Sequence, residues 1–245
     1  MNPRRTYATA SRVLGQLSHD RRTLALMLAV PPVLMILLKY AFINQRGTFS
    51  DIAPMLLALF PFTVMFLIAS VAMLRERSGG TLERLLAMAT SKADLLVGYA
   101  LAFGAAAVVQ VLIAVAVSFG LLGLRVSGSV GVLVGFALLD ALLGMALGLF
   151  LSAFARTEFQ AVQFLPAFVL PQLLLCGLLV PRDEMAGALR WLSDLLPLSY
   201  AVDGVSRVAA TSHWTEAMTV DVAVVAICIP AALALGAATL RRRSG

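Results

Sequence analysis

Residues 130–154 read V-G-V-L-V-G-F-A-L-L-D-A-L-L-G-M-A-L-G-L-F-L-S-A-F, an apolar run whose one charge, Asp140, lies near its centre. A helix needs about 20 consecutive apolar residues to cross the hydrocarbon core of a bilayer. Similar runs lie on either side of it, at roughly 23–42, 52–74, 95–121, 161–180 and 219–240. In lipid every backbone N–H and C=O must find its partner within the protein, so runs of this kind are helices. The fold class expected is all-α, a polytopic membrane protein with six transmembrane helices. Composition agrees, with 60 % hydrophobic and 13 % charged residues against roughly 25 % charged in a soluble domain.

The short segments between the runs orient the chain. Segments 1–22, 75–94, 155–160 and 241–245 hold most of the 19 Lys and Arg, among them Arg4, Arg5, Arg12, Arg21, Arg22, Arg75, Arg77 and Arg84. On the other side Lys39, Arg46, Arg125, Arg182, Arg190 and Arg207 are matched by Asp51, Asp183, Glu184, Asp194, Asp203 and Glu216. The positive-inside rule makes the first side cytoplasmic, with both termini inside. The net charge of +6 is then a topology signal, and no basic patch with interleaved aromatics points to nucleic acid. The first run is longer than a signal-peptide core and is followed by no small-residue cleavage site, so it reads as a permanent span.

Within this frame several local patterns stand out. Tyr7, Ala10, Leu14 and Leu17 share one face of a helix over 6–22, as in an interfacial amphipathic helix. Pro31–Pro32 predicts a bend in the first span. Ser78–Gly79–Gly80 breaks the second span's helix. Thr81 can then cap a short amphipathic helix whose Leu82, Leu85, Leu86 and Ala89 recur at helical spacing, opposite Glu83 and Arg84. Ser91 and Asp94 have the spacing of a capping box that opens the third span. The fourth span carries Gly131/Gly135 and Gly144/Gly148, small-residue pairs that let helices approach closely. Asp140 between them should face protein or water, uncharged or paired with a polar group such as Gln110. Gln163 and Gln172 are milder polar residues within the fifth span. On the outer side, 183–209 predicts two short helices that partly re-enter the membrane.

The chemistry of a catalyst is missing. No Gly-x-x-x-x-Gly-Lys-[Ser/Thr] phosphate loop occurs, no His/Cys/Asp/Glu cluster has metal-ligand spacing, and two histidines leave little room for a triad. Cys176 and Cys228 both lie in apolar runs and read as small core residues.

Three segments resemble the type-2 ABC exporter permeases. Residues 75–98, R-E-R-S-G-G-T-L-E-R-L-L-A-M-A-T-S-K-A-D-L-L-V-G, resemble the motif that follows the second span in that family, although Ala89 and Thr90 stand where a proline is frequent. Residues 151–163 resemble its turn between the fourth and fifth spans. Residues 176–207, ending P-L-S-Y-A-V-D-G-V-S-R, resemble its outer segment, with Leu196 in place of a common asparagine. Size and outer segment are most similar to the daunorubicin and multidrug-resistance branch.

The resemblance implies a permease subunit in the cell membrane that is not itself an enzyme. It carries no cofactor of its own; ATP and Mg would bind a separate cytoplasmic ABC ATPase, and a second permease copy or a paralogue would complete the pump. Residues 1–22 would be the interfacial helix, 23–240 the permease domain and 241–245 a basic tail. The coupling helix would be 81–89, with Thr81, Glu83, Arg84 and Leu85 meeting the ATPase. Gln110, Asp140, Gln163 and Gln172 are expected near the translocation path of an amphiphilic drug or antibiotic. Export of a lipid or polysaccharide precursor is the nearest alternative, and a secondary transporter, which would require inverted repeats and midplane charges, is the other.

Overall fold

The computed structural model describes residues 2–45, 47–80 and 91–239, and among these there are nine principal helices and no strand. Thr81, Glu83, Arg84 and Leu85, expected as coupling contacts, and the basic tail 241–245 lie outside the described residues. Six helices are long and apolar enough to cross a membrane: α2 (Arg21–Ala41), α3 (Thr48–Ser78), α4 (Lys92–Leu121), α5 (Val130–Leu151), α6 (Glu158–Leu175) and α9 (Glu216–Thr239). The amphipathic α1 (Pro3–His19) precedes them, and α7 (Gly187–Leu195) and α8 (Pro197–Ala210) connect α6 to α9.

The bundle is built around α3 and α5. In each, 56 % of the apolar stretch is buried within the chain, against 22 % for α2 and 17 % for α6 and α9. Glycine explains the α3–α5 contact. A Cβ on Gly144 would lie 2.3 Å from the Phe62 carbonyl oxygen, and one on Gly148 would lie 2.3 Å from that of Phe66. The two backbones meet with no side chain between them. The other small pair does nothing of the kind: Gly135 has no atom within 4 Å of where its Cβ would be.

Local signals shape the helix ends. Asp20 closes α1 and opens α2, its carboxylate accepting from the Thr23 backbone N–H at 3.1 Å and the Thr23 hydroxyl at 2.6 Å. Ser91 and Asp94 form the capping box of α4. After Ser78, Gly80 takes φ +71°, the left-handed geometry that glycine reaches without steric cost.

Pro31 and Pro32 sit inside a continuous α2. Proline at 31 has no N–H to give the carbonyl of Met27 one turn earlier. The side chain of Gln110 supplies the missing donor, its Nε2 lying 3.0 Å from Met27 O. A polar residue within α4 therefore satisfies a backbone group that a proline in α2 leaves free.

A second face of α1 packs against the bundle. Thr6, Thr9, Ala10 and Val13 are buried against the bundle, Tyr7 is 75 % exposed and Leu14 also points outward. The threonine hydroxyls bond within α1, to Asn2 O and Arg5 O, so they can be buried at little cost. The fit is close at Gly98 of α4, where a Cβ would lie 2.7 Å from the Thr9 side chain. Small residues thus select the packed face, and Tyr7 and Leu14 are left for the membrane interface.

Candidate functional site

Charged groups gather at the two ends of the bundle. At the first end, Arg12 of α1 donates to Glu76 Oε1 of α3 at 2.8 Å and to the Tyr99 hydroxyl of α4 at 3.2 Å. The Arg12 and Glu76 side chains are only 29 % and 10 % exposed. Burial works against the Arg12 charge, but the bonds to Glu76 and Tyr99 outweigh it and hold the guanidinium above its ordinary pKa. Asp94 accepts from the Asn2 backbone N–H at 2.9 Å and from the Thr6 hydroxyl at 3.4 Å. Arg75 makes two bonds to Glu158 at the start of α6, at 2.8 and 3.1 Å. That pair is exposed and contributes about 0–1 kcal/mol. Arg77 donates to Ser152 O beyond α5. The exit of α3 and the entry of α4 are in this way tied to α1, to the end of α5 and to α6. The chain between them is the 81–90 stretch.

At the other end a network of charges links α7, α8 and α9. Arg182 bonds Asp194 of α7 and Asp203 of α8 and lies 5.1 Å from the centre of the Tyr200 ring. Arg207 approaches Asp203 at 3.7 Å and bonds Asp221 of α9. Burial disfavours the Arg182 charge, yet Asp203 and Asp194 together raise its pKa above the ordinary value. The network borders a cavity of about 460 Å³ lined by Arg182, Arg190, Asp194, Asp203, Ser206 and Arg207, among others. The sequence reading missed Arg182 as the hub and Asp221 as a partner. Asp221 had a signal, since an acid inside an apolar run requires a counter-charge.

The four polar residues expected near a path do not converge. Gln110 is engaged by Met27 O. Gln172 is buried and bonds Phe168 O of its own helix at 3.3 Å. Gln163 is exposed on α6. Asp140 is fully buried, and neither carboxyl oxygen has a hydrogen-bond partner among the described residues, so the pairing with Gln110 is not made. Gln110 Nε2 is instead committed to the Met27 carbonyl that Pro31 leaves unpaired. None of the four lines either the cavity beside Arg182 or a second one, of about 640 Å³, beside the α1–α2 turn.

An unpartnered buried carboxyl costs stability, and an apolar side chain of similar size removes that cost. Asp140→Leu is therefore expected to stabilise the folded chain by about 1–3 kcal/mol. Thermal unfolding in detergent would check it. A lower melting temperature for Asp140→Leu than for Asp140→Asn would show instead that the carboxyl is bonded in the folded state.

Among the described residues no group of His, Cys, Asp and Glu could hold a metal ion. Comparison with known proteins gives a consistent pattern. A family model described as ABC-2 type transporter matches residues 4–209. ABC transporter G family member 20 of Dictyostelium discoideum is 26 % identical over 159 residues, covering 64 % of this chain and 22 % of that protein. A protein named "Probable multidrug ABC transporter permease" from Escherichia coli (strain K12) is 26 % identical over 157 residues, 64 % of this chain and 42 % of that one. The linearmycin resistance permease protein of Bacillus subtilis (strain 168) is 26 % identical over 154 residues, 61 % of this chain and 40 % of that one. The alignments span from about a fifth to about two fifths of the length of these relatives.

Proposed function

Since the chain belongs to the ABC-2 type transporter family, we propose that it is the membrane subunit of an ATP-driven exporter of amphiphilic drugs or antibiotics. It spans the cell membrane with both termini in the cytoplasm. A separate ABC ATPase binds ATP and Mg, and a second permease, a copy or a paralogue, completes the path. The printed names of the bacterial relatives, multidrug permease and linearmycin resistance permease, support that class of cargo.

The observation that carries the reading is the clamped end of the bundle. Residues 81–90 lie in the chain between Glu76, bonded to Arg12, and Asp94, bonded to Asn2 and Thr6. A force applied to that stretch by an ATPase would pass into α1, α3 and α4 together, and through Arg75–Glu158 into α6. Thr81, Glu83, Arg84 and Leu85 are the contacts with the ATPase in this reading. ATP closing the ATPase dimer would move them, and the spans would follow as rigid bodies toward an outward-open state.

Arg84→Glu tests it. A reversed charge in a buried contact costs about 2–5 kcal/mol. Insertion and thermal stability of the permease should be unchanged, while co-purification with the ATPase and drug-stimulated hydrolysis should fall at least tenfold. Normal stimulation in the variant would return 81–90 to an ordinary solvated loop.

A further inference from the structure

Beside the α1–α2 turn a cleft of about 640 Å³ opens between α1, α2 and α3, with Tyr99 and Phe103 of α4 at its back. Its volume falls within the roughly 300–1,000 Å³ of sites that hold drug-sized molecules. Leu26 and Val30 of α2 face Val64, Leu67 and Ile68 of α3 across an apolar floor. The mouth is polar, with Asp20, Arg75 and Glu76.

The charges at the mouth are not equivalent. Glu76 is held by Arg12, and Arg75 is held by Glu158. The Asp20 side chain bonds Thr23 and forms no salt bridge among the described residues, although the nearby Arg75 charge also favours its ionised form. Arg21 and Arg22, its neighbours in the chain, are exposed and do not line the cleft. The hydroxyl and N–H of Thr23 hold the Asp20 carboxyl below its ordinary pKa, so it is ionised at neutral pH. Of the three charged residues that line the cleft two are acids, and Asp20 is the one that is not part of a salt bridge.

We infer that this cleft binds an amphiphile with an ammonium head, the head on the Asp20 carboxylate and the apolar body between Leu26, Val30 and Leu67. As a cargo site it rests on the exporter reading, and it narrows that cargo to cationic amphiphiles taken from the cytoplasmic leaflet. The apolar floor supplies affinity through area removed from water, and Asp20 selects the charge.

The probe is a diazirine-bearing alkyltrimethylammonium, photolysed with the purified chain in phosphatidylglycerol nanodiscs and mapped by peptide mass spectrometry. Label is expected on α2 and α3 around Leu26, Val30 and Leu67. A plain alkyltrimethylammonium should compete, and an alkyl sulfate of equal chain length should not. Asp20→Asn keeps the helix cap, because asparagine caps as well as aspartate. Loss of the charged bond should weaken labelling roughly tenfold. Leu67→Trp, filling the cleft, should abolish it at unchanged thermal stability. Label spread evenly over the lipid-facing helices, equal competition by the sulfate, or full labelling of both variants overturns the site. Displacement by phosphatidylethanolamine at equimolar level would make the occupant a lipid and overturn the cargo assignment. In the assembled pump, stimulation by ammonium amphiphiles that Asp20→Asn leaves intact overturns the site and spares the exporter reading. Specific labelling with no stimulation of any ATPase overturns the exporter reading, and with it the cargo role, but leaves the cleft as a binding site.

Discussion

Gly144→Val is expected to prevent the bundle from forming. The first added carbon would lie 2.3 Å from the Phe62 carbonyl oxygen and 2.9 Å from its carbonyl carbon. Both are backbone atoms of a helix and cannot rotate aside, so α3 and α5 would have to separate along the chain's main contact. Overpacking a tight core usually costs about 1–3 kcal/mol. A branched side chain against main chain should exceed that, reaching the more than about 4 kcal/mol that marks exceptional substitutions. Gly148→Val repeats the clash one turn on, against Phe66. Gly135→Ala is the control, with open space around its Cβ, and should change stability by less than about 0.5 kcal/mol. Thermal unfolding and gel filtration in detergent would separate the three. A Gly144→Val protein that melts with the parent would refute the backbone contact.

The second large effect is expected from Arg12→Ala. It strands Glu76, whose Oε1 loses its partner while Oε2 is already buried without one. Breaking a buried pair costs about 3–5 kcal/mol, and because Arg12 keeps some exposure the lower end applies, about 3 kcal/mol. The loss should be local. Amide exchange should quicken in α1 and in the first turns of α4, where Tyr99 also loses a donor, while α5 keeps its protection. Replacing Arg12 and Glu76 together by methionine should recover much of the loss, since no charge is then left alone. Exchange in α1 matching the parent's would mean that Ala10 and Val13 hold the helix without the ion pair.

Elements with a local cause were legible in the sequence. The six spans follow from apolar length, the α4 cap from Ser91 and Asp94, and the end of α3 from Ser78–Gly79–Gly80. Features that depend on a distant partner were not. Periodicity put Tyr7 and Leu14 on the apolar side of α1, but the packed side is chosen by Gly98 and by threonines that satisfy their own hydroxyls. The bond of Gln110 was not legible, because nothing near it in the chain reveals that its partner is a carbonyl freed by Pro31. Asp140 was legible as buried, and its lack of any partner was not. The residues read as coupling contacts, Thr81 to Leu85, lie outside the described residues; only the frame that holds their flanks is on view.

The charge network that links α7, α8 and α9 carries a consequence for how such a chain can change over generations. Asp203 is shared by Arg182 and Arg207, and Arg207 is shared by Asp203 and Asp221. A lineage that loses Asp203 alone keeps Arg182 on Asp194 and Arg207 on Asp221, and loses only the link between the two pairs. One that loses Arg207 alone leaves Asp221 a lone acid inside a span. Arg207 and Asp221 should therefore change together or not at all, while Asp203 can be lost in a single step with both arginines still paired. Trp191 and Leu195, exposed on the neighbouring α7, are under no such bond and can vary one at a time.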